Sequence, residues 1–595
     1  MNIKYIIAIL ISVGIFNSCS GIFINKSRDN HSNHMAWYYP VNDTAYGTYL
    51  AGRVAHIRQD YANAAKYYIK SINLGADEKD LLNKIYVLLA TEGRIEDAAN
   101  YAYKAIEKGD ESNFARFITM THEAKVKNFD KALEAIESIP NKSVKSAIYP
   151  LFNAWILTGK NDKNAALKQI DELKKDKELT AFYYMHRGMI NDYFGDVIAA
   201  QKDFDTIRNN ENIEMSFRSL QIITNFYIRN NQQEKALATI KKYTEKNSDL
   251  KMFAHLLNDI QAVDKNRTVP IIDTPEKGLA EAIFNVGIVF RNYQPDIAQI
   301  FTSLALYLNS ENDVAIVSFA DLLENNKQHD AAVKQYAKLN KNSPLYYMGS
   351  LKSASILMEN KNYDKAVKNL KKLLDEYPND YNILFNLGEV SRLDAKYSNA
   401  IKYYNLALDN LPKHITGDWT VYYALGVAYE KNNQWSEAEK ILQKALTISN
   451  RHPYILNYLG YIWLENNQNY NEALYMIFEA YQQNPESGHI LDSLGWALYR
   501  MGKYEDATAI LERAAEYLPA NAIVCDHLGD LYWQIGRKEE ARHQWQHALT
   551  LKEDAEMVDK EEVARKIKNG AKKPKPIIFN EALLVERIKI LKLSD

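Results

Sequence analysis

Small residues recur through the C-terminal half of the chain at steps of 34 to 38 residues. A glycine, preceded by leucine each time, stands at Gly388, Gly426, Gly460, Gly495 and Gly529. Two alanines seven residues apart follow each glycine, at Ala400 and Ala407, Ala438 and Ala445, Ala473 and Ala480, Ala507 and Ala514, and Ala541 and Ala548. The large residue between each alanine pair is Tyr404, Leu442, Ile477, Leu511 or Trp545. Residues seven apart share one face of a helix, so the pattern predicts two consecutive helices per repeat.

The order of residue sizes also predicts how the two helices meet. Glycine inside a helix costs about 1 kcal/mol relative to alanine, so a close crossing of two helices is the expected compensation. The alanine pair keeps one face of the second helix thin, and the bulky residue fills the space beside the glycine. Proline follows some of these helices, at Pro412, Pro485 and Pro519, and a proline cannot continue a helix interior. The pattern therefore predicts an all-α fold.

Residues 491–519, LDSLGWALYRMGKYEDATAILERAAEYLP, resemble a tetratricopeptide repeat, and residues 526–549 match it nearly as well. The resemblance implies an α-solenoid of helix-turn-helix repeats, with five copies over 381–552. The whole chain is similar to exported tetratricopeptide proteins of alphaproteobacteria, which are mostly known as scaffolds without an assigned reaction.

Other parts of the chain keep the pattern less completely. Residues 279–380 are expected to hold weak copies, in which Ala332 and Ala366 precede prolines. Residues 46–262 are expected to form degenerate helical repeats. The residues that keep the spacing there include Gly52, Ala64, Tyr68, Gly188, Ala200 and Phe204.

Two segments interrupt the period. Residues 263–278 contain Pro270, Pro275 and Gly278, and this concentration of helix-breaking residues predicts a linker between two arrays. After residue 552 the period stops, and 553–595 are expected to hold a polar capping helix at 559–569 followed by a basic tail, because the end of a solenoid must meet water.

The N-terminus predicts export. Residues 1–18 have a lysine at position 4 and an apolar stretch too short to span a bilayer, as in a secretory signal peptide. The residues before Cys19 resemble a bacterial lipobox, which implies an acylated Cys19 and a polar tether over 19–45. Cleavage before Gly21 with simple periplasmic export is the second interpretation, and an uncleaved anchor is the third. Ser20 after the cysteine favours the outer membrane, facing the periplasm.

Charge and cysteine content narrow the function classes. The 595 residues carry 73 basic and 75 acidic side chains, a formal net charge of -2, which lacks the basic excess of a nucleic-acid binder. Cys19 and Cys525 are the two cysteines, so neither a disulfide framework nor a cysteine-rich zinc module is expected. Cys525 fits a buried helix-packing position, and His543 and His547 fit an exposed helix face.

No catalytic motif accompanies the repeats. The sequence has no nucleophile elbow, Gly-rich phosphate loop or His-Glu-x-x-His zinc motif, so we expect neither an enzyme nor a bound cofactor or metal. The repeat period is weakest over 241–300, so a hidden active site there remains a minor alternative.

The groove formed by the first helices is the candidate site. By analogy with the repeat family, its protein-binding candidates are Asn457, Tyr461, Asp492, Trp496, Tyr499, Arg500, Asp526, Asp530 and Trp533. Aromatic and arginine side chains are typical anchors for protein segments. The groove is mildly acidic toward its C-terminal end, so a basic or apolar segment should suit it.

These observations predict a non-catalytic scaffold in the bacterial cell envelope that binds other proteins. The alternative is a regulatory cofactor of an envelope enzyme or of an outer-membrane assembly complex. The sequence does not separate the two, because they differ in the consequence of binding and not in the binding surface.

Overall fold

A computed structural model of the chain describes residues 44–139, 142–245, 269–411, 418–551, 558–574 and 577. Within those ranges the chain forms α-helices, two short 3-10 segments and no β-strand, which confirms the all-α prediction. The predicted signal peptide, Cys19 and nearly all of the tether lie outside the described residues. The chain divides into two compact units, Met1–Asn369 and Leu370–Asp595, here called the N-terminal and C-terminal units.

The helices follow one another in antiparallel pairs, with odd numbers for first helices and even numbers for second helices. The N-terminal unit contains α1 Ala45–Ile57, α2 Tyr61–Asn73, α3 Lys79–Thr91, α4 Ile95–Glu107, α5 Asn113–Lys125, α6 Phe129–Glu137, α7 Lys142–Gly159, α8 Lys163–Ile170, α9 Thr180–Tyr193, α10 Val197–Asn209, α11 Phe217–Arg229, α12 Gln233–Thr244, α13 Pro275–Phe290, α14 Pro295–Leu308, α15 Asp313–Asn325, α16 His329–Tyr336 and α17 Tyr346–Glu359. Helix α18, Tyr363–Glu376, spans the boundary between the units.

The C-terminal unit continues the same order. Its helices are α19 Tyr381–Leu393, α20 Tyr397–Asp409, α21 Trp419–Lys431, α22 Trp435–Ile448, α23 Pro453–Glu465, α24 Tyr470–Gln483, α25 Gly488–Arg500, α26 Tyr504–Tyr517, α27 Ala522–Gln534, α28 Lys538–Thr550 and α29 Lys560–Asn569. Helix α29 occupies the segment in which the sequence predicts a capping helix.

Local side chains explain where many helices begin. Asp60, Asp162 and Asp196 each accept a hydrogen bond from the backbone N–H three residues later, at the start of α2, α8 and α10. Such caps satisfy backbone donors that have no partner inside the helix.

Each repeat glycine lies where the second helix of its pair approaches closely. A Cβ atom placed on Gly388, Gly426, Gly460, Gly495 or Gly529 would lie 2.4 to 2.9 Å from the bulky residue of the same repeat. All ten repeat alanines have 0% of their surface exposed. The same approach occurs in the N-terminal unit, where Gly52 faces Tyr68 and Gly188 faces Phe204.

The break near residue 270 has a different structure from the predicted linker. Helix α13 begins at Pro275, and the Thr274 hydroxyl accepts a hydrogen bond from the Lys277 backbone N–H at 3.2 Å. Proline is well tolerated in the first turn of a helix, so Pro275 starts a helix here instead of preventing one. Residues 263–268 lie outside the described part of the chain.

The boundary between the compact units also lies elsewhere than 263–278, because α13 and α14 pack into the N-terminal unit. They contact the first helices α3, α5, α7 and α9. Phe301 packs against Phe117 with ring centroids 5.5 Å apart, and Gly278 lies so close to Trp155 that a Cβ would approach its ring to 2.1 Å. The inner side of the N-terminal unit is therefore filled by its own α13–α14 pair.

This finding also bears on the region in which the sequence left room for an active site. The described residues between 241 and 300 belong to the end of α12, the residues just before α13, and the helices α13 and α14. Residues 246–268 lie outside the described ranges. The described residues between 241 and 300 are therefore mainly helices that pack into the N-terminal unit.

Candidate protein-binding surface

The inner face of the C-terminal unit is formed by its first helices, α19, α21, α23, α25 and α27. These helices contact each other as well as their own second helices: α21 touches α19 and α25 touches both α23 and α27. Side chains from successive repeats therefore meet along one surface. We call this surface the inner face.

Tyrosines and carboxylates occupy the middle of the inner face. The rings of Tyr423 on α21 and Tyr458 on α23 meet edge to face, with centroids 5.5 Å apart. The Tyr458 hydroxyl donates a hydrogen bond to Glu430 at 3.3 Å. Burial raises the pKa of the Tyr458 and Tyr461 hydroxyls, so both stay neutral donors at physiological pH. All three tyrosines remain partly exposed.

A stacked pair of rings connects α25 with α27. The Trp496 ring lies parallel to the His527 ring, with centroids 4.0 Å apart and an angle of 12° between the planes. His527 Nδ1 lies 2.9 Å from Asp492 Oδ1. Burial alone would lower the pKa of His527, but the carboxylates of Asp492, Asp526 and Asp530 raise it above its ordinary value. Folding therefore favours a protonated imidazole here.

Trp496 also connects α25 with the preceding repeat. Its indole N–H donates to Glu465 at 2.8 Å, and Arg500 Nη1 donates to the same Glu465 oxygen at 3.2 Å. Arg500 Nη2 lies 3.0 Å from the side-chain oxygen of Asn467. The indole and the guanidinium are thus held side by side on the inner face.

The C-terminal end of the inner face is occupied by a lysine of the chain itself. Lys566 on α29 lies 2.9 Å from the carboxylates of both Asp526 and Asp530 on α27. The Trp545 indole N–H donates to Asp530 at 3.1 Å. Lys566 is buried, and the two carboxylates raise its pKa although burial opposes this. The sequence predicts that the acidic C-terminal end of the inner face attracts a basic segment. Lys566 of the chain itself supplies a basic group there.

The structure places the nine predicted groove residues in two classes. Asp492, Tyr499 and Asp530 are buried and bonded or packed within the chain. The six partly exposed ones are Asn457, Tyr461, Trp496, Arg500, Asp526 and Trp533. Buried side chains act by positioning their neighbours, and the role of the nine residues as partner contacts stays a prediction.

Asn457 differs from its neighbours on the inner face. Its side-chain oxygen is buried and accepts no hydrogen bond from any described residue. An unsatisfied buried acceptor costs about 1–3 kcal/mol, so Asn457 is a locally unfavourable position on the inner face.

Sequence reasoning missed several residues of this surface. His527, Glu465, Lys566 and Gly570 make the cross-repeat contacts, and none of them is part of the repeat pattern. The one available signal was that His527 follows Asp492 by 35 residues, about one repeat, which places the two on neighbouring first helices.

The cysteine and the histidine singled out in the sequence have ordinary packing and hydrogen-bond contacts. Burial raises the pKa of the Cys525 thiol to about 11, and Cys525 packs with Ala522 and Ala548. His547 Nε2 lies 3.1 Å from the backbone oxygen of Pro519. In the described ranges, no group of three or more His, Cys, Asp or Glu side chains is arranged to hold a metal. None of the helices described is both long and apolar enough to cross a membrane.

Family models for the tetratricopeptide repeat match three segments of the chain. One model matches residues 351–415 and 493–555, and a second matches residues 421–453. A TPR repeat-containing protein of Pseudomonas aeruginosa is 33% identical over 118 residues, which are 20% of this chain and 20% of that protein. The match thus spans a fifth of the relative's length.

Solved structures of repeat proteins match the chain with low TM-scores. A tetratricopeptide repeat protein from Parabacteroides merdae has a TM-score of 0.33 at 16% identity, covering 49% of this chain and 97% of its own. Yeast Tom70 has a TM-score of 0.28 at 14% identity, covering 93% and 99%. YrrB, described as having an unusual peptide-binding site, has a TM-score of 0.25 at 20% identity, covering 33% and 97%. Scores of this size carry no inference about partners.

The sequence pattern, the antiparallel helical pairs and the family matches agree on one repeat. The chain is similar to tetratricopeptide repeat proteins and carries that repeat in the segments 351–415, 421–453 and 493–555.

Proposed function

We propose that the chain is a scaffold that binds segments of other proteins on the inner face of its C-terminal unit. The observation that carries this proposal is the row of partly exposed Tyr423, Tyr458, Tyr461 and Trp496 on successive first helices. Rigid aromatic side chains beside charged groups are the usual anchors of protein interfaces. The tetratricopeptide resemblance supports the same conclusion.

The contrast between the two units supports this choice of surface. In the N-terminal unit, α13 and α14 already pack against the first helices α3, α5, α7 and α9. In the C-terminal unit, the described residues leave the middle of the inner face partly exposed. The side chains of a bound segment can pack on the tyrosines there.

Capture of partners from bacterial envelope extracts tests this function. The informative variant is Tyr461→Ala combined with Trp496→Ala, because interface aromatics commonly contribute about 2 kcal/mol or more each. The matched control is Tyr517→Ala, a tyrosine that is 47% exposed on the second helix α26. Circular dichroism establishes that all variants remain folded.

Two results would decide the matter. We expect proteins captured by the wild type and by Tyr517→Ala to be lost with the double variant. Equal capture by all three chains would remove the inner face as the binding surface, and capture of nothing above background would remove the scaffold function itself.

We also propose that the protein works in the cell envelope, anchored by an acyl group on Cys19. The signal-like N-terminus and the lipobox resemblance support this location. Metabolic labelling with a fatty acid is expected to mark the wild type and not Cys19→Ala. If neither chain is labelled and the wild type is recovered in the soluble periplasmic fraction, simple export is favoured over lipid anchoring.

A further inference from the structure

The chain that follows α29 returns across the ends of two first helices of the C-terminal unit. The Gln534 side-chain amide on α27 donates to the backbone oxygens of Ala571 and Lys572, at 3.5 and 3.4 Å. The Ile577 backbone N–H donates to the backbone oxygen of Arg500, the last residue of α25, at 3.1 Å. The Ile577 side chain is 8% exposed. We call residues 566–574 and 577 the docked segment.

Gly570 makes this return possible. Its φ is +80°, a conformation that side-chain-bearing residues rarely adopt, and a Cβ there would lie 1.9 Å from the Trp533 ring. The backbone thus lies directly on the indole of a predicted groove residue. Any larger residue at this position must move either the segment or Trp533.

The chemistry of the docked segment complements the surface beneath it. The Lys566 amine meets two carboxylates, and Ile577 satisfies one of the carbonyls that a helix leaves free at its C-terminus. Residues 560–577 carry seven basic and two acidic side chains, and cations are favoured near helix C-termini. Charge, hydrogen bonding and shape therefore agree on one kind of ligand.

The docked segment is attached at few points. Among residues 571–574, the contacts are the two long hydrogen bonds from Gln534 and the packing of Ala571 against the core, and Lys572 and Lys573 are exposed. A stretch with few buried apolar contacts opens at a low free-energy cost, and a competitor that supplies its own cation to Asp526 and Asp530 leaves neither carboxylate unpaired.

We propose that the docked segment is an internal stand-in for a partner's segment at the C-terminal end of the inner face. The partner that fits is a basic segment with a lysine or arginine for Asp526 and Asp530, a glycine four residues later for Trp533, and a branched apolar residue at the position of Ile577. Such a partner binds by displacing the chain's own segment. This inference rests on the proposed function, because it assigns a partner chemistry to the same inner face.

The test measures how tightly a fluorescein-labelled synthetic peptide of residues 558–582 binds to each of four protein chains. Fluorescence anisotropy gives the affinity. These chains are the wild type, Gly570→Ala, Gly536→Ala and a chain ending at residue 557. Circular dichroism establishes that the shortened chain, which lacks α29, is folded; if it is not, Gly570→Ala takes its place with both peptides. Gly536 has a φ of +86° and nothing within 4 Å of an added Cβ, so its alanine variant carries the backbone strain without the collision. A second peptide carries Lys566→Ala.

A tethered segment competes at an effective concentration of about 1 mM, so the wild type should bind the peptide weakly. We expect Gly570→Ala and the shortened chain to bind it at least about tenfold more tightly than the wild type and Gly536→Ala do. The shortened chain should lose at least about tenfold in affinity for the Lys566→Ala peptide.

Three results would overturn the inference. These are equal binding by the wild type and Gly570→Ala, equal affinity of the shortened chain for both peptides, and a wild-type dimer that the shortened chain does not form. The dimer, seen by sedimentation, would make a second copy the occupant. If the chain captures proteins through Tyr461 and Trp496 but fails the peptide test, only the inference about the docked segment is refuted. If the chain passes the peptide test but captures no protein, only the proposed scaffold function is refuted.

Discussion

The crossing at Gly460 offers the sharpest test of the helix-packing argument. A Cβ on Gly460 would lie 2.8 Å from the backbone oxygen of Ala473 and 2.9 Å from Ile477 Cγ1. At Gly426 the corresponding Cβ would meet Leu442 side-chain atoms at 2.6 and 2.7 Å, while the backbone oxygen of Ala438 is 3.5 Å away. A leucine side chain can rotate away, but the carbonyl of Ala473 belongs to helix α24 and moves only with it.

The expected magnitudes follow from this difference. Alanine gains about 1 kcal/mol over glycine in a helix. Displacing a side chain from its preferred rotamer costs about 0.5–1.5 kcal/mol, so Gly426→Ala should be nearly neutral. Overpacking against backbone costs up to about 3 kcal/mol, so Gly460→Ala should destabilise its helical pair by about 2 kcal/mol.

Hydrogen exchange followed by mass spectrometry measures this effect locally, which suits a repeat array in which each pair opens on its own. Amides of α23 and α24 should exchange about thirtyfold faster in Gly460→Ala than in the wild type. Amides of α21 and α22 should be almost unchanged in Gly426→Ala. Equal protection of α23 and α24 in the wild type and Gly460→Ala would refute the close-crossing account.

Three further predictions concern other parts of the molecule. Gly495→Leu should destabilise α25 and α26 by roughly 1–3 kcal/mol through collision with Leu511, and an unchanged melting midpoint would contradict this. Burial lowers the pKa of His186 from 6.5 to about 3, so its neutral ring, which accepts the Trp155 indole N–H at 2.9 Å, contributes stability above pH 6.5 that is lost as pH falls. The N-terminal unit should therefore lose about 2 kcal/mol between pH 7 and pH 5 in urea denaturation, and His186→Gln should flatten this dependence. Cys525, with 2% of its surface exposed and its pKa raised to about 11, should react with iodoacetamide at pH 8 only as fast as the C-terminal repeats open, and rapid labelling of the folded chain would contradict its burial.

The two units differ in what packs against their first helices. In the N-terminal unit, α13 and α14 lie against the first helices, and the buried Arg218 bonds to Glu281 of α13 at 2.6 Å. Removing either partner of this buried pair would leave an uncompensated charge, which is strongly destabilising. In the C-terminal unit, the chain's own α29 and docked segment reach only the end of the inner face.

The repeat pattern made the local contacts readable from the sequence. Gly495 and Leu511 are sixteen residues apart, and their contact requires only two helices joined by a short turn. Residue size at such positions decides the crossing, because a helix surface is periodic and a glycine there leaves space for one large neighbour. The all-α fold and the helical pairs from α19 to α28 could be predicted for this reason.

Proline at position 275 shows where composition misleads. A cluster of Pro and Gly predicts a break, but the first turn of a helix accepts proline without losing a hydrogen bond, and Thr274 caps it. The difference depends on whether a capping residue precedes the proline, which the concentration of helix-breaking residues does not reveal.

For the five C-terminal repeats, the sequence alone determined which segments form a helical pair and which small and large side chains meet inside it. Only the tertiary structure decided that α13 and α14 fill the inner side of the N-terminal unit and that Lys566 sits between Asp526 and Asp530. Contacts within a pair are fixed by the helical period and a short turn. Contacts between distant repeats depend on how small rotations add up along the stack, and no local pattern records that sum.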